Sequence, residues 1–105
     1  MGLLNTLKEY LYLGSSEKGE KIYEQTISQM PLRLFNWSAR VKVGGEVKDL
    51  SGEALRDFIA GLARNGVSLS QLDRSLKKVG LRNNQYALRQ RILRAVKEFV
   101  TANKS

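Results

Sequence analysis

The sequence predicts a mainly α, small helical domain with one short β-strand or hairpin near residues 35–49. Three observations predict it. Apolar residues recur at three- and four-residue spacing along most of the chain. One stretch, 35–43, switches to strict apolar–polar alternation. Pro31, Gly44-Gly45, Gly66 and Gly80 fall between these stretches, where breakers belong. The expected organisation is one domain, 1–105. It comprises an N-terminal helical segment (1–33), the strand or hairpin (34–50) and a three-helix basic unit (51–102).

The elements follow in order. Leu3, Leu4, Leu7, Tyr10 and Leu11 share a helical face over about 3–13, and Gly14-Ser15-Ser16 ends it. Residues 17–30 place Tyr23, Ile27 and Met30 on one face with Ile22 beside them, and put acids early, where the helix dipole favours them. Pro31 stops that helix, since its ring clashes with the preceding turn and it has no N–H. This N-terminal segment carries enough apolar and aromatic surface to bury against the core or against a second copy, so a homodimer is expected as an option.

Phe35, Trp37, Ala39, Val41 and Val43 alternate with Asn36, Ser38, Arg40 and Lys42, which reads as a half-buried strand. Gly44-Gly45 suits the positive φ angles of a two-residue hairpin turn, and 46–50 returns as the partner strand. Phe35 and Trp37 read as core rather than as a platform for stacking bases, because they share a face with Ala39, Val41 and Val43. Arg40 and Lys42 then point outward, like a basic wing.

Ser51 reads as the cap of the next helix, with Leu50 and Leu55 as its hydrophobic staple and Leu55, Phe58, Ile59 and Leu62 as its buried face. Gly66 stops it. Ser68 and Gln71 form a capping-box pair with Val67 and Leu72 as staple. Leu69, Leu72, Leu76 and Val79 make the apolar stripe, and Gly80 closes the helix. Asn83 or Asn84 caps a long last helix, about 84–102, with Leu88, Ile92, Ala95, Val96 and Phe99 on one face.

Composition narrows the function. The chain has neither Cys nor His, which removes thiolate chemistry, Cys-ligated metals and the commonest general base and metal ligand. Glu20 and Glu24 are i,i+4 but have nothing to push their pKa values apart, as a carboxylate pair in catalysis needs. No phosphate loop or nucleophile elbow is present. An enzyme, a cofactor and a metal site are not expected. The N-terminus has no basic leader and the chain has no apolar run long enough to span a bilayer, so the expectation is a cytoplasmic protein without a membrane partner.

The formal charge is +8, and it is unevenly placed. Residues 1–65 carry nine basic and eight acidic residues, net +1; residues 66–105 carry nine basic and two acidic, net +7. That asymmetry points to an anionic partner for the C-terminal end. On the last helix, Tyr86, Gln90, Arg94 and Lys97 lie opposite the apolar stripe, with Arg89 and Arg91 flanking. Arg reads guanine, Gln or Asn reads adenine, and Lys and Tyr suit phosphate. Asn83, Asn84 and Gln85 stand at the helix start, where base edges would be met, and Lys77, Lys78 and Arg82 lie just upstream. The expected nucleic-acid-binding residues are therefore Lys77, Lys78, Arg82, Asn84, Gln85, Arg89, Gln90, Arg94 and Lys97.

Ser68–Val79, the turn Gly80-Leu81-Arg82-Asn83 and the helix from Asn84 onward, with Leu72, Leu76, Val79 and Leu81 apolar, resemble a helix-turn-helix DNA-binding unit. The resemblance is architectural and covers about 51–100. It implies a small regulator of bacterial, phage or plasmid type, acting in transcription or replication control. Duplex DNA is the favoured partner over RNA. An RNA-binding protein, or an inhibitor whose basic face docks an acidic protein, is the alternative.

Overall fold

The computed structural model describes residues 21–104. The expected first helix, the start of the second, and Leu3, Leu7, Tyr10 and Leu11 of the expected dimerising surface lie outside the described residues; of the other two residues of that surface, Ile27 is buried in the chain's own core and Tyr23 is exposed. The order is α1 (Glu24–Ser28), a 3-10 turn (Leu32–Phe35), β1 (Ala39–Val43), β2 (Glu46–Leu50), α2 (Gly52–Leu62), α3 (Leu69–Lys78), a second 3-10 turn (Asn83–Gln85) and α4 (Tyr86–Lys104). The described part is a mainly α fold with one antiparallel hairpin, as the periodicity predicts.

The expected 17–30 helix contracts to α1. Ile22 is drawn into a backbone bridge with Val67, N–H to C=O in both directions at 2.7 and 2.9 Å. That bridge holds Tyr23 extended (φ −112°, ψ 161°), so the helix starts one residue later. The expected 35–43 strand also shortens. After Pro31 the chain turns through residues 32–35, and Phe35 reaches the core from that turn rather than from a pleat. Only from Ala39 does alternation express itself as a strand: Ala39 and Val41 buried, Arg40 and Lys42 exposed. Phe35 and Trp37 meet at 6.2 Å between ring centroids, tilted by 56°, within the packing that the core reading expected.

The hairpin turns on Gly44 (φ 58°) and Gly45 (φ 86°), the two positive φ angles a tight turn of matching twist requires. Ala39 faces Leu50 and Val43 faces Glu46 in the ladder. Ser51 makes no capping hydrogen bond; the chain enters α2 through Gly52 at φ 59° instead. The staple residues still meet the core, Leu55 fully buried and Leu50 packed against it. Ser68 caps α3 as the spacing requires: its hydroxyl accepts from the Gln71 N–H at 3.2 Å, and the Gln71 side chain accepts from the Ser68 N–H at 2.8 Å. One core gathers the four helices, the first 3-10 turn and the hairpin, with Ile27, Met30, Phe35, Val41, Leu55, Ile59, Leu72, Leu76, Leu81, Ile92 and Val96 at its centre. Arg56 ties α2 to the end of α1, donating to the Met30 carbonyl at 3.0 Å. No helix among the described residues is long and apolar enough to cross a membrane.

Candidate nucleic-acid interface

The C-terminal helices α3 and α4 are joined by residues 79–85, and this connection is fastened to the hairpin. The Lys42 N–H donates to the Val79 carbonyl at 2.7 Å. Gly80 (φ 121°) lies so close to β1 that a Cβ there would sit 3.2 Å from the Arg40 carbonyl oxygen. Gln85 completes the junction: its side-chain oxygen accepts from the Arg40 N–H at 2.9 Å, and its amide nitrogen donates to the carbonyls of Arg40 (2.8 Å) and Gly80 (3.0 Å). One side-chain amide thus occupies both outward backbone groups of Arg40, as a neighbouring strand would. Because Gln85 serves this clamp, residues 83–85 form a 3-10 turn and α4 begins at Tyr86, two residues after the expected start.

The last turn of α3, the connection and the first turn of α4 enclose an open cleft of about 550 Å³. Its lining is Arg74, Lys77, Lys78, Arg82, Asn83, Tyr86 and Arg89. Arg74, Lys78 and Arg82 are exposed and have no carboxylate partner among the described residues. Lys77 is exposed too and stands 3.6 Å from Asp73. The Arg82 Nε–H donates to the Lys77 carbonyl at 3.2 Å, which fixes the side chain across the connection. Tyr86 is 55 % exposed, an unusual position for a ring of that size, and its face lies 5.2 Å from the Arg89 guanidinium.

A shallower groove of about 200 Å³ continues along the same seam, lined by Leu69, Asp73, Gln90, Leu93, Arg94 and Lys97. Asp73 and Arg89 separate the two concavities. The Arg89 Nε stands 2.9 Å from Asp73 Oδ1 with its N–H out of line, so that contact is Coulombic, and a second guanidinium nitrogen donates to the Leu81 carbonyl at 2.7 Å.

The nine expected residues are therefore not one surface. Lys77, Lys78 and Arg82 converge on the cleft; Gln90, Arg94 and Lys97 line the adjoining groove. Two expectations are corrected. Arg89 is only 5 % exposed and anchors Asp73 and Leu81, so it is a structural group beneath the cleft rather than an exposed contact. Gln85 has its amide committed to Arg40 and Gly80 and has no free edge to present to a base. Asn84 is exposed but sits beside Ser38, Arg40 and Asp49, on the hairpin side of the connection. Of the two expected wing residues, both exposed, Arg40 pairs with Asp49 at 3.4 Å.

Arg74, Asn83 and Tyr86 complete the cleft; Asn83 at the helix start and Tyr86 on the exposed helix face belong to the sequence expectation for this region, though not to the nine, while Arg74 is new. For Arg74 the signal is present in the sequence: it is i,i+3 and i,i+4 from Lys77 and Lys78, and so shares their helix face. Among the described residues no group of three His, Cys, Asp or Glu is placed to hold a metal ion. The chain matches no protein-family model, no curated protein and no solved structure.

Proposed function

We propose that the chain is a non-enzymatic nucleic-acid-binding protein, acting as a small DNA-binding regulator through the basic cleft between α3 and α4. The observation that carries this reading is the convergence of Arg74, Lys77, Lys78 and Arg82 on one cleft beside an exposed tyrosine. Cations held close together in a concave site raise the local concentration of a polyanion and release its counterions on contact. Arginine and lysine serve phosphates, Asn83 adds a neutral amide, and Gln90 and Arg94 further along α4 have the chemistry that reads base edges. In the resemblance to helix-turn-helix proteins, α4 takes the place of the recognition helix.

A second reading has its own observation. Tyr86 is 55 % exposed among the cleft's cations, with Arg89 against its ring, and an exposed aromatic beside cations is the combination that stacks an unpaired base, which favours single-stranded RNA or DNA. Direct competition separates the two. The full chain is titrated into labelled duplex DNA, single-stranded DNA and single-stranded RNA over a salt series. Duplex preference with a steep negative dependence of log K on log salt is expected. Replacing Lys77, Lys78 and Arg82 by Ala should reduce that slope by about 3, one for each phosphate left without its cation. Absence of binding to any of these at low salt overturns the proposal and leaves an acidic protein as the partner to seek.

A further inference from the structure

Helix α4 carries cations on both flanks. One flank faces α3 and the cleft already described. On the other, a groove of about 360 Å³ runs between α4 and the 32–35 turn, with Arg33, Arg91 and Arg94 around Leu34 and Phe99. All three arginines are exposed, and none has a carboxylate partner among the described residues. Arg91 is held by an aromatic contact, and the backbone that carries Arg33 is fixed. The Arg91 guanidinium lies 5.9 Å from the Trp37 ring centroid, and Trp37 itself packs on Phe35. Arg33 stands on a turn closed by the Leu34 N–H donating to the Pro31 carbonyl at 3.0 Å.

We propose that Arg33 and Arg91 are a second row of phosphate contacts, so that α4 lies between the two strands of a DNA duplex. This rests on the nucleic-acid reading above and specifies its partner. A single strand offers one row of phosphates and has no use for cations on opposite flanks of one helix. A duplex offers two rows. An α-helix with its side chains measures about 10–12 Å across, and the B-DNA major groove is about 12 Å wide. The deep, narrow major groove of duplex RNA does not admit such a helix. Arg94 borders the grooves on both sides of α4 and so occupies the ridge between the two rows, beside Gln90. Glu98, on the outer flank one turn beyond Arg94, repels phosphate and ends the second row.

The test compares the unaltered full chain with Arg33→Gln/Arg91→Gln by fluorescence anisotropy, on a labelled mixed-sequence DNA duplex and on one of its strands. For the duplex, the double variant should lower the slope of log K against log salt by about 2. Single-strand affinity should stay within about twofold, since that ligand uses the cleft flank alone. Arg33→Gln by itself, which leaves the Arg91–Trp37 contact in place, should remove about half of the duplex effect, and Glu98→Gln should raise duplex affinity. Circular dichroism melts confirm that each variant folds. An unchanged duplex slope, or equal losses on duplex and single strand, overturns the second row. If Lys77→Ala/Arg82→Ala still weakens binding in that case, the cleft reading survives; if the unaltered chain binds nothing, both fall.

Discussion

Arg89 illustrates how one residue can be legible as a charge and illegible as a role. It counts toward the basic excess of the C-terminal segment, yet its side chain is buried against Asp73 and the Leu81 carbonyl. The pattern that reveals this is local. Arg89 precedes Ile92, Leu93 and Val96 by three, four and seven residues, so it extends the buried stripe of α4 by one turn. What the pattern does not give is the partner. Asp73 lies on another helix, although it is one of only two acids in residues 66–105. Removing one member of a buried pair strands the other charge in a poorly solvated place. Arg89→Ala should accordingly destabilise the fold by about 3 kcal/mol in urea denaturation, whereas Arg94→Ala, on the exposed ridge, should fall within about 0.5 kcal/mol. Asp73→Leu/Arg89→Met should recover much of the loss, as apolar groups of similar size often replace buried pairs at little cost. Equal, small effects from Arg89→Ala and Arg94→Ala would mean that the pair is solvated in solution.

At the level of elements, the features set by neighbours in sequence were legible and those set by distant partners were not. The Ser68–Gln71 capping box, the Gly44-Gly45 turn and the apolar faces of α2, α3 and α4 all arise within a few residues. The start of α1, the 3-10 entry to α4 and the late start of β1 depend on other parts of the chain: Val67 for Ile22, Arg40 for Gln85, and the core itself for Phe35. The same division holds in the site. Lys77, Lys78 and Arg82 were legible because they are close in sequence, while the loss of Gln85 to the hairpin could not be read without knowing that β1 passes beside Gly80. The clamp is measurable. Gln85→Ala deletes three hydrogen bonds and leaves the Arg40 N–H without its partner, for a cost of about 1–3 kcal/mol. In hydrogen exchange, the Arg40 amide should lose protection selectively while amides in the middle of α2 keep theirs. Uniform loss would instead assign Gln85 to global stability alone.

Across the whole molecule, charge is segregated by partnership as well as by position. Glu24, Glu46, Asp49, Glu53 and Asp57 each pair with a cation from the N-terminal two thirds of the chain at 3.4–3.9 Å, whereas Arg33, Arg74, Lys78, Arg82, Arg91 and Arg94 have no carboxylate partner among the described residues. The net charge was legible from composition; its arrangement into two flanks of α4 was not, because Arg33 joins Arg91 and Arg94 only through the turn after Pro31. Unpaired cations repel one another, and salt screens that repulsion over about 10 Å at 0.1 M. Calorimetric melts should therefore show the midpoint rising as sodium chloride goes from about 20 to about 200 mM, the range over which screening sets in. A falling midpoint would mean that the exposed ion pairs outweigh the repulsion, contrary to their usual small worth. The Gln85 clamp reaches beyond the cleft it supports. With one rim of the hairpin sealed by a side-chain amide, growth by adding strands is left to the rim of β2, where Glu46, Lys48 and Asp49 stand exposed around Val47. Two molecules aligned there would have to dehydrate those charged groups, a barrier that keeps so small a sheet from seeding fibrils.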